Sequence, residues 1–223
     1  MTQLDHIMYA CPDLQTGIDE IYALTGVMPV MGGSHPGVGT RNALLSLDNY
    51  QYLEIIAPDP AQDLEGTTGQ LLLDHGGTGI RSWAIACDSL ANVQTLAAAR
   101  NIGTRDIIDM SRTTPDGIRL AWQLLFLTDP HMPFFIDWLQ SPHPALSTPT
   151  GCQLSAFHIS ASHISASHTS ASHTNDSHIS ATGPKTYQDF LSDLSLSIPV
   201  TEGENAFTAQ LETPKGPVLL TTW

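Results

Sequence analysis

Ala10-Cys11-Pro12-Asp13-Leu14 and Ala86-Cys87-Asp88-Ser89-Leu90 are two versions of one signal. Each closes an apolar run short enough to be a strand, LDHIMYA at 4–10 and RSWAIAC at 81–87. Each also opens a helical stretch behind an Asp or Ser, the side chains that cap the free N–H groups of a helix start. Working outward from the first, residues 13–24 read as a helix stopped by Gly26, and 27–31 as a short strand ending in Gly32-Gly33. Segments 42–47 and 51–57 read as strands on either side of the turn Asp48-Asn49. After a polar, Gly-rich link at 59–79, the order repeats: a strand at 81–87, a helix at 89–100, and strands at 106–110, 118–127 and 133–139, the middle two joined by Pro115-Asp116-Gly117. An aromatic-apolar-acid tripeptide stands late in each copy, Tyr52-Leu53-Glu54 and Phe135-Ile136-Asp137. The chain is thus an α+β protein with a tandem βαβββ unit, whose modules span 1–58 and 80–140 of a domain at 1–140. Paired units of this kind can build a cleft that His6, Glu54 and Asp137 face.

A third, weaker βαβββ-like set occupies 150–223, with strands at 153–160, 198–200, 206–212 and 217–222 and a helix at 186–196. It is interrupted at about 158–182 by the pentads HISAS, HISAS, HTSAS, HTNDS and HISAT. Removing four units leaves a strand running directly into a helix, so the run reads as a tandem expansion at a strand end. A His-rich tract suggests metal binding. However, a helix would turn successive histidines by about 140° and a strand would alternate their faces, so the tract reads instead as a polar extension.

The 223 residues carry 8 Lys+Arg against 22 Asp+Glu, a formal charge of −14, and this field repels phosphate backbones and anionic headgroups. Nucleic acid and membrane are excluded as partners on that ground. No stretch reaches the roughly 18 apolar residues of a membrane span, and the start of the chain lacks a basic, then apolar, secretory pattern. Cys11, Cys87 and Cys152 are odd in number and lack CxxC spacing, which fits reduced thiols in a cytoplasmic protein.

The segments LDHIMYACPDL, HPGVGTRNALLSL, YLEIIAPDP and PFFIDW, in that order over about 3–140, resemble the vicinal oxygen chelate superfamily, and within it the glyoxalase-like group of bacterial proteins. The resemblance implies two modules pairing into an open, curved mixed sheet, the glyoxalase/bleomycin-resistance architecture. Its concave side would hold one divalent ion, Zn, Mn, Mg or Ni, through the first and last strands of each module. It implies His6, Glu54 and Asp137 as metal ligands. Lining up Cys87 with Cys11 places Ser82 opposite His6, so the fourth position lacks a good donor, and ring-cleaving dioxygenase activity, which needs a second histidine there, is not expected. The activity implied is that of a metal-dependent lyase or isomerase on a small oxygen-bearing substrate, with Glu54 or Asp137 as the catalytic base. The alternative is a metal-free protein of the same fold that binds or sequesters a small molecule.

In the loop His35-Pro36-Gly37-Val38-Gly39-Thr40-Arg41-Asn42, an Arg beside an Asn at a strand start suits a substrate carboxylate. His35, Arg41 and Asn42 are therefore the candidate substrate-binding residues. No GKS or GKT follows, so this is not a phosphate loop. His75 and His143 read as solvated loop residues, and His131 as the one histidine placed to replace a missing ligand. Trp83, Trp122 and Trp138 read as core. The third segment offers a face for a homodimer.

Overall fold

The structure is a computed structural model describing residues 2–48, 50–114, 117–162 and 183–223. Twenty residues of the pentad run, 163–182, lie outside the described residues, as do Asn49, Pro115 and Asp116 of the two expected turns. The first copy consists of β1 (Gln3–Ala10), α1 (Leu14–Thr25), β2 (Val30–His35), β3 (Thr40–Ser46) and β4 (Tyr52–Pro58). A helix α2 (Thr68–His75) then occupies the link, where sequence reading placed no element. Its signals are local and easily passed over: the Thr67 hydroxyl caps it by accepting from the Gln70 N–H, and Gly76 ends it at φ 68. Gly69 lets α2 approach the Gly39 carbonyl, which a Cβ there would meet at 1.9 Å.

The second copy follows as β5 (Gly79–Ala86), α3 (Leu90–Ala99), β6 (Ile108–Thr113), β7 (Arg119–Leu125) and β8 (Phe134–Asp137). The chain ends in β9 (Gln153–Ala161), α4 (Pro184–Asp193), β10 (Val200–Glu202), β11 (Ala206–Thr213) and β12 (Gly216–Thr221). As the repeated signal requires, Asp13 caps α1 by accepting from the Thr16 N–H, Ser89 caps α3 by accepting from the Asn92 N–H, and Gly26 closes α1 at φ 78.

The two copies share one eight-stranded sheet in the order β2-β3-β4-β1-β5-β8-β7-β6. In each copy the first strand lies parallel to the last, β1 with β4 and β5 with β8, and the copies meet through antiparallel β1 and β5. The sheet curls until its edges approach, and Nη1 of Arg112 on β6 donates to the Gly32 carbonyl on β2. The result is nearly a barrel. Its helix-covered side holds the main core, including Ile7, Leu14, Ile18, Ile21, Leu53, Trp83 and Phe135.

The third segment has the element order of a module but not its topology. Its sheet runs β10-β9-β11-β12, so β9 is flanked by β10 and β11 instead of meeting the last strand of its own set. That sheet packs Phe157, Ile159, Phe207 and Leu211 into the same core as Trp83, whose Nε1 donates to the Tyr187 hydroxyl at 3.3 Å. Among the described residues no helix is long and apolar enough to cross a membrane.

Candidate functional site

Directly paired residues of neighbouring strands share a face, so the register decides which side chains meet inside the curl. His6 pairs with Tyr52 and Ala84, Met8 with Glu54 and Ser82, and Leu44 with Glu54. Ala84 pairs with Phe134 and Ala86 with Ile136, and Leu124 pairs with both Ile136 and Ile108. The concave face therefore carries His6, Met8, Asn42, Tyr52, Glu54, Ser82, Phe134 and Trp122. Across the β1–β5 ladder residue 82 pairs with Met8 and His6 with Ala84, so Ser82 and His6 are equivalent positions of the two copies but not direct partners.

One residue is added to this face by a bulge. Between Leu4 and His6 the β1 strand advances two residues while β5 advances one, so Asp5 is the extra residue. Leu4 consequently packs in the helix-side core while His6 turns inward, against the simple alternation that would put both on one face. Asp5 is wholly buried and accepts from His6 Nδ1 at 2.6 Å, Trp138 Nε1 at 2.9 Å and His143 Nε2 at 3.0 Å. Burial alone would raise its pKa, but the hydrogen bonds from His143 and His6, with their charges, outweigh it and hold the carboxyl well below the usual range. His143 is thus a working part of the interior, not a solvated loop residue. Asp5 and His143 were missed as site residues because a bulge and a loop packed over a strand end leave no periodic trace.

The carboxylate of Glu54 lies at the centre of the network. Its Oε1 accepts from Asn42 Nδ2 at 2.6 Å and stands 3.9 Å from His35 Nε2, and its Oε2 stands 3.6 Å from His6 Nε2. His35 Nδ1 meets the Thr40 hydroxyl at 3.0 Å, and its Nε2 faces Asn42 Nδ2 at 3.3 Å. Since the amide donates there, Nε2 is the acceptor and Nδ1 carries the proton. Burial lowers the pKa of His35, and the charges of Arg112 and His6 add to that, opposed by Glu54. The His6 ring stacks on Tyr52 with centroids 4.6 Å apart and meets Phe134 edge-on at 5.4 Å. All of these groups are buried.

Asp137 and Arg41 are not brought to this face. Asp137 pairs with Gln123, one residue out of step with Ile136 and Leu124, and its Oδ1 accepts from the Leu139 N–H at 2.9 Å, capping the strand end. Arg41 pairs with Ala57, on the helix side of the sheet, where it lines a surface cavity of about 500 Å³ with Ser34, Asp59 and Gln62. Its Nε is buried without a hydrogen-bond partner among the described residues. His131 is exposed; its N–H donates to Asp129 Oδ1 at 3.0 Å and its carbonyl accepts from the Tyr187 hydroxyl at 2.9 Å, and its ring does not reach the concave face. His75 stacks on Trp223 with centroids 3.7 Å apart.

A family model for the glyoxalase-like domain matches residues 4–175, most of the chain. The chain belongs to this glyoxalase-like family of the vicinal oxygen chelate superfamily. A hypothetical protein from Staphylococcus aureus is similar in fold, with 17% identity, a TM-score of 0.61, and coverage of 100% of this chain and 86% of that one. Methylmalonyl-CoA epimerase from Mycobacterium tuberculosis aligns with 65% of this chain and 91% of its own, at 20% identity and a TM-score of 0.46. No curated protein matches the sequence.

Superfamily members commonly bind a divalent ion, and the register tests whether these residues suit one. The Cys11 N–H donates to the Ile56 carbonyl and the Cys87 N–H to the Ile136 carbonyl, each at 3.0 Å, so the copies superpose Cys11 on Cys87 and Ile56 on Ile136. Met8 then corresponds to Ala84, His6 to Ser82, and Glu54 to Phe134. Matching Glu54 to Asp137 by the tripeptides is three residues out, and an odd shift exchanges faces. Of the four first- and last-strand positions, only His6 and Glu54 carry ligands suited to an ion; Ser82 and Phe134 do not. Among the described residues no group of three or more His, Cys, Asp or Glu is placed to hold a metal. The donor set His6, Glu54 and Asp137 does not assemble, and the residues present do not fit the ion.

Proposed function

We propose that this glyoxalase-like protein is a lyase or isomerase that moves a proton beside a carbonyl group on a small molecule with adjacent oxygen atoms. The observation that carries this reading is the facing of two acceptors, Glu54 Oε2 and His6 Nε2, 3.6 Å apart in a buried interior. Asp5 accepts the Nδ1 proton of His6, so Nε2 is the nitrogen left free, and Asn42 occupies the other oxygen of Glu54. A proton delivered between the two is shared by them, which is what a general base in a dry site requires. Glu54 takes the substrate proton and His6 stabilises the carboxylic acid that results. Asp137, the other carboxylate considered for this role, faces the far side of the sheet.

Solvent-deuterium incorporation, followed by proton NMR over a panel of small 2-oxo and 2-hydroxy carbonyl compounds, tests this. Wild type should exchange the proton beside the carbonyl of at least one member, and Glu54→Gln should lower that rate by about a hundredfold or more, the usual contribution of a positioned base. Exchange that survives Glu54→Gln sinks the assignment. A second reading, a metal-free protein that binds or sequesters a small molecule, is favoured by Ser82 and Phe134 at the two positions where module two would supply ligands. It predicts binding without exchange.

A further inference from the structure

The concave face also holds a guanidinium that the proton transfer does not use. Arg112 on β6 pairs with Leu120, which puts it on the same side as Trp122, and it is only 6% exposed. Arginine is seldom buried unless a carboxylate pairs with it. Here it forms no ion pair among the described residues, and its one hydrogen bond there is to the Gly32 carbonyl across the seam between the sheet edges. Its charge nevertheless reaches Glu54 and Tyr52, and burial works against it. The carboxylate its charge reaches, Glu54, is already engaged by Asn42. A guanidinium has five N–H groups and remains charged, so most of its donors are uncommitted on the face that carries the proposed base.

We infer that Arg112 anchors the substrate through an anionic group, and that the substrate is a small monocarboxylate with oxygen on the neighbouring carbon, a 2-hydroxy or 2-oxo acid. The inference rests on the Glu54 reading for where the reacting carbon sits. A carboxylate matches the forked donors of a single guanidinium. A dianionic phosphate would meet one guanidinium with the Glu54 carboxylate in reach of the same charge, and is disfavoured. The role that the sequence suggested for Arg41 thus falls to an arginine on the last-but-two strand of the second module, facing inward where Arg41 faces out.

Calorimetric titration with lactate, pyruvate and glyoxylate, each beside its neutral amide, tests the anchor without relying on turnover. Wild type should bind at least one acid and bind its amide at least tenfold more weakly. Arg112→Met, of similar length but neutral, should weaken the acid by about ten- to a hundredfold, since a hydrogen bond to a charged group is worth roughly that factor, and should leave the amide unchanged. Arg112→Lys keeps the charge but not the fork and should fall between; it also serves as the test if Arg112→Met fails to fold by circular dichroism. Glu54→Gln removes a negative charge from the same face and should bind the acid at least as tightly as wild type. Equal affinity for acid and amide, undiminished acid binding in a folded Arg112 variant, or no acid bound by wild type overturns the inference. Exchange that survives in Glu54→Gln while Arg112→Met loses acid binding overturns the base assignment and leaves the anchor standing.

Discussion

Asp5 is the residue whose loss the structure makes most costly. Asp5→Ala removes the acceptor of one buried donor, His6 Nδ1, and two half-buried ones, Trp138 Nε1 and His143 Nε2, at 2.6, 2.9 and 3.0 Å. A buried donor left unsatisfied costs about 1–3 kcal/mol. The two imidazoles can shift their protons to the other nitrogen and recover part of this, so the sum falls at about 3–5 kcal/mol, the range for breaking a buried charged cluster. In a chain of 223 residues, 1 kcal/mol moves Tm by roughly 2–4 °C, so a fall of about 10 °C is expected. Asp5→Asn keeps one acceptor oxygen but sets its NH₂ against a donor, and should lose about half as much. Urea unfolding followed by circular dichroism measures both, and a cycle with His143→Ala separates the loop contact from the rest, with a coupling of about 1 kcal/mol or more expected. If Asp5→Ala costs less than about 1 kcal/mol with an unchanged m-value, the three donors do not converge on Asp5 and the bulge does not place it inside.

The thiols give a pH test. Burial pushes Cys11 up to about 12 and Cys87 up to about 11, with nearby carboxylates adding to both, so the unreactive thiol form prevails at pH 8. Iodoacetamide labelling read by mass spectrometry should leave both unmodified in the folded protein at pH 8, gain about tenfold in rate per pH unit, and label all three cysteines in denaturant; fast native labelling of Cys11 contradicts its burial. The register test uses metal: wild type should bind Zn²⁺ weakly, and Ser82→His with Phe134→Glu should tighten it at least tenfold in competition with a chromophoric chelator. No gain in a folded double variant would show that residues 82 and 134 do not correspond to His6 and Glu54.

The fold was legible because its signals are local and repeated. The Cys11 and Cys87 segments each carry a strand end, a capping side chain and a helix, and the structure joins exactly these strands, β1 and β5, at the centre of the sheet. Helix α2 was lost to composition: Gly66, Thr67, Thr68, Gly69 and Gln70 at its start and Gly76-Gly77 after it looked like linker, whereas Thr67 and Gly76 are caps. The third set was legible as elements and not as topology, because nothing in an order of strand, helix and three strands says which neighbour β9 takes.

The site was half legible, and the division follows strand periodicity. The structure brings His6, Glu54, His35 and Asn42 to one face: His6 and Glu54 were picked from strand segments, His35 and Asn42 from the stretch read as a loop, whose ends belong to β2 and β3. Asp137 and Arg41 were misplaced by one step of that alternation, the first through a tripeptide match three residues out of register, the second through being read as part of a loop when it already belongs to β3. Asp5 and Arg112 needed information that exists only between strands, a bulge opposite Ile85 and Ala84 and a seam between the sheet edges. The two modules have consequently diverged in kind. Module one supplies a polar network of Asp5, His6, His35, Asn42 and Glu54, whereas module two supplies an apolar wall of Ala84, Trp122, Leu124, Phe134 and Ile136 with one cation, Arg112, at its rim. A low-polarity wall facing a carboxylate–imidazole pair strengthens electrostatic interactions within the cleft, so Ser82 and Phe134, which supply no metal ligand, belong to the wall on which the proposed proton transfer relies.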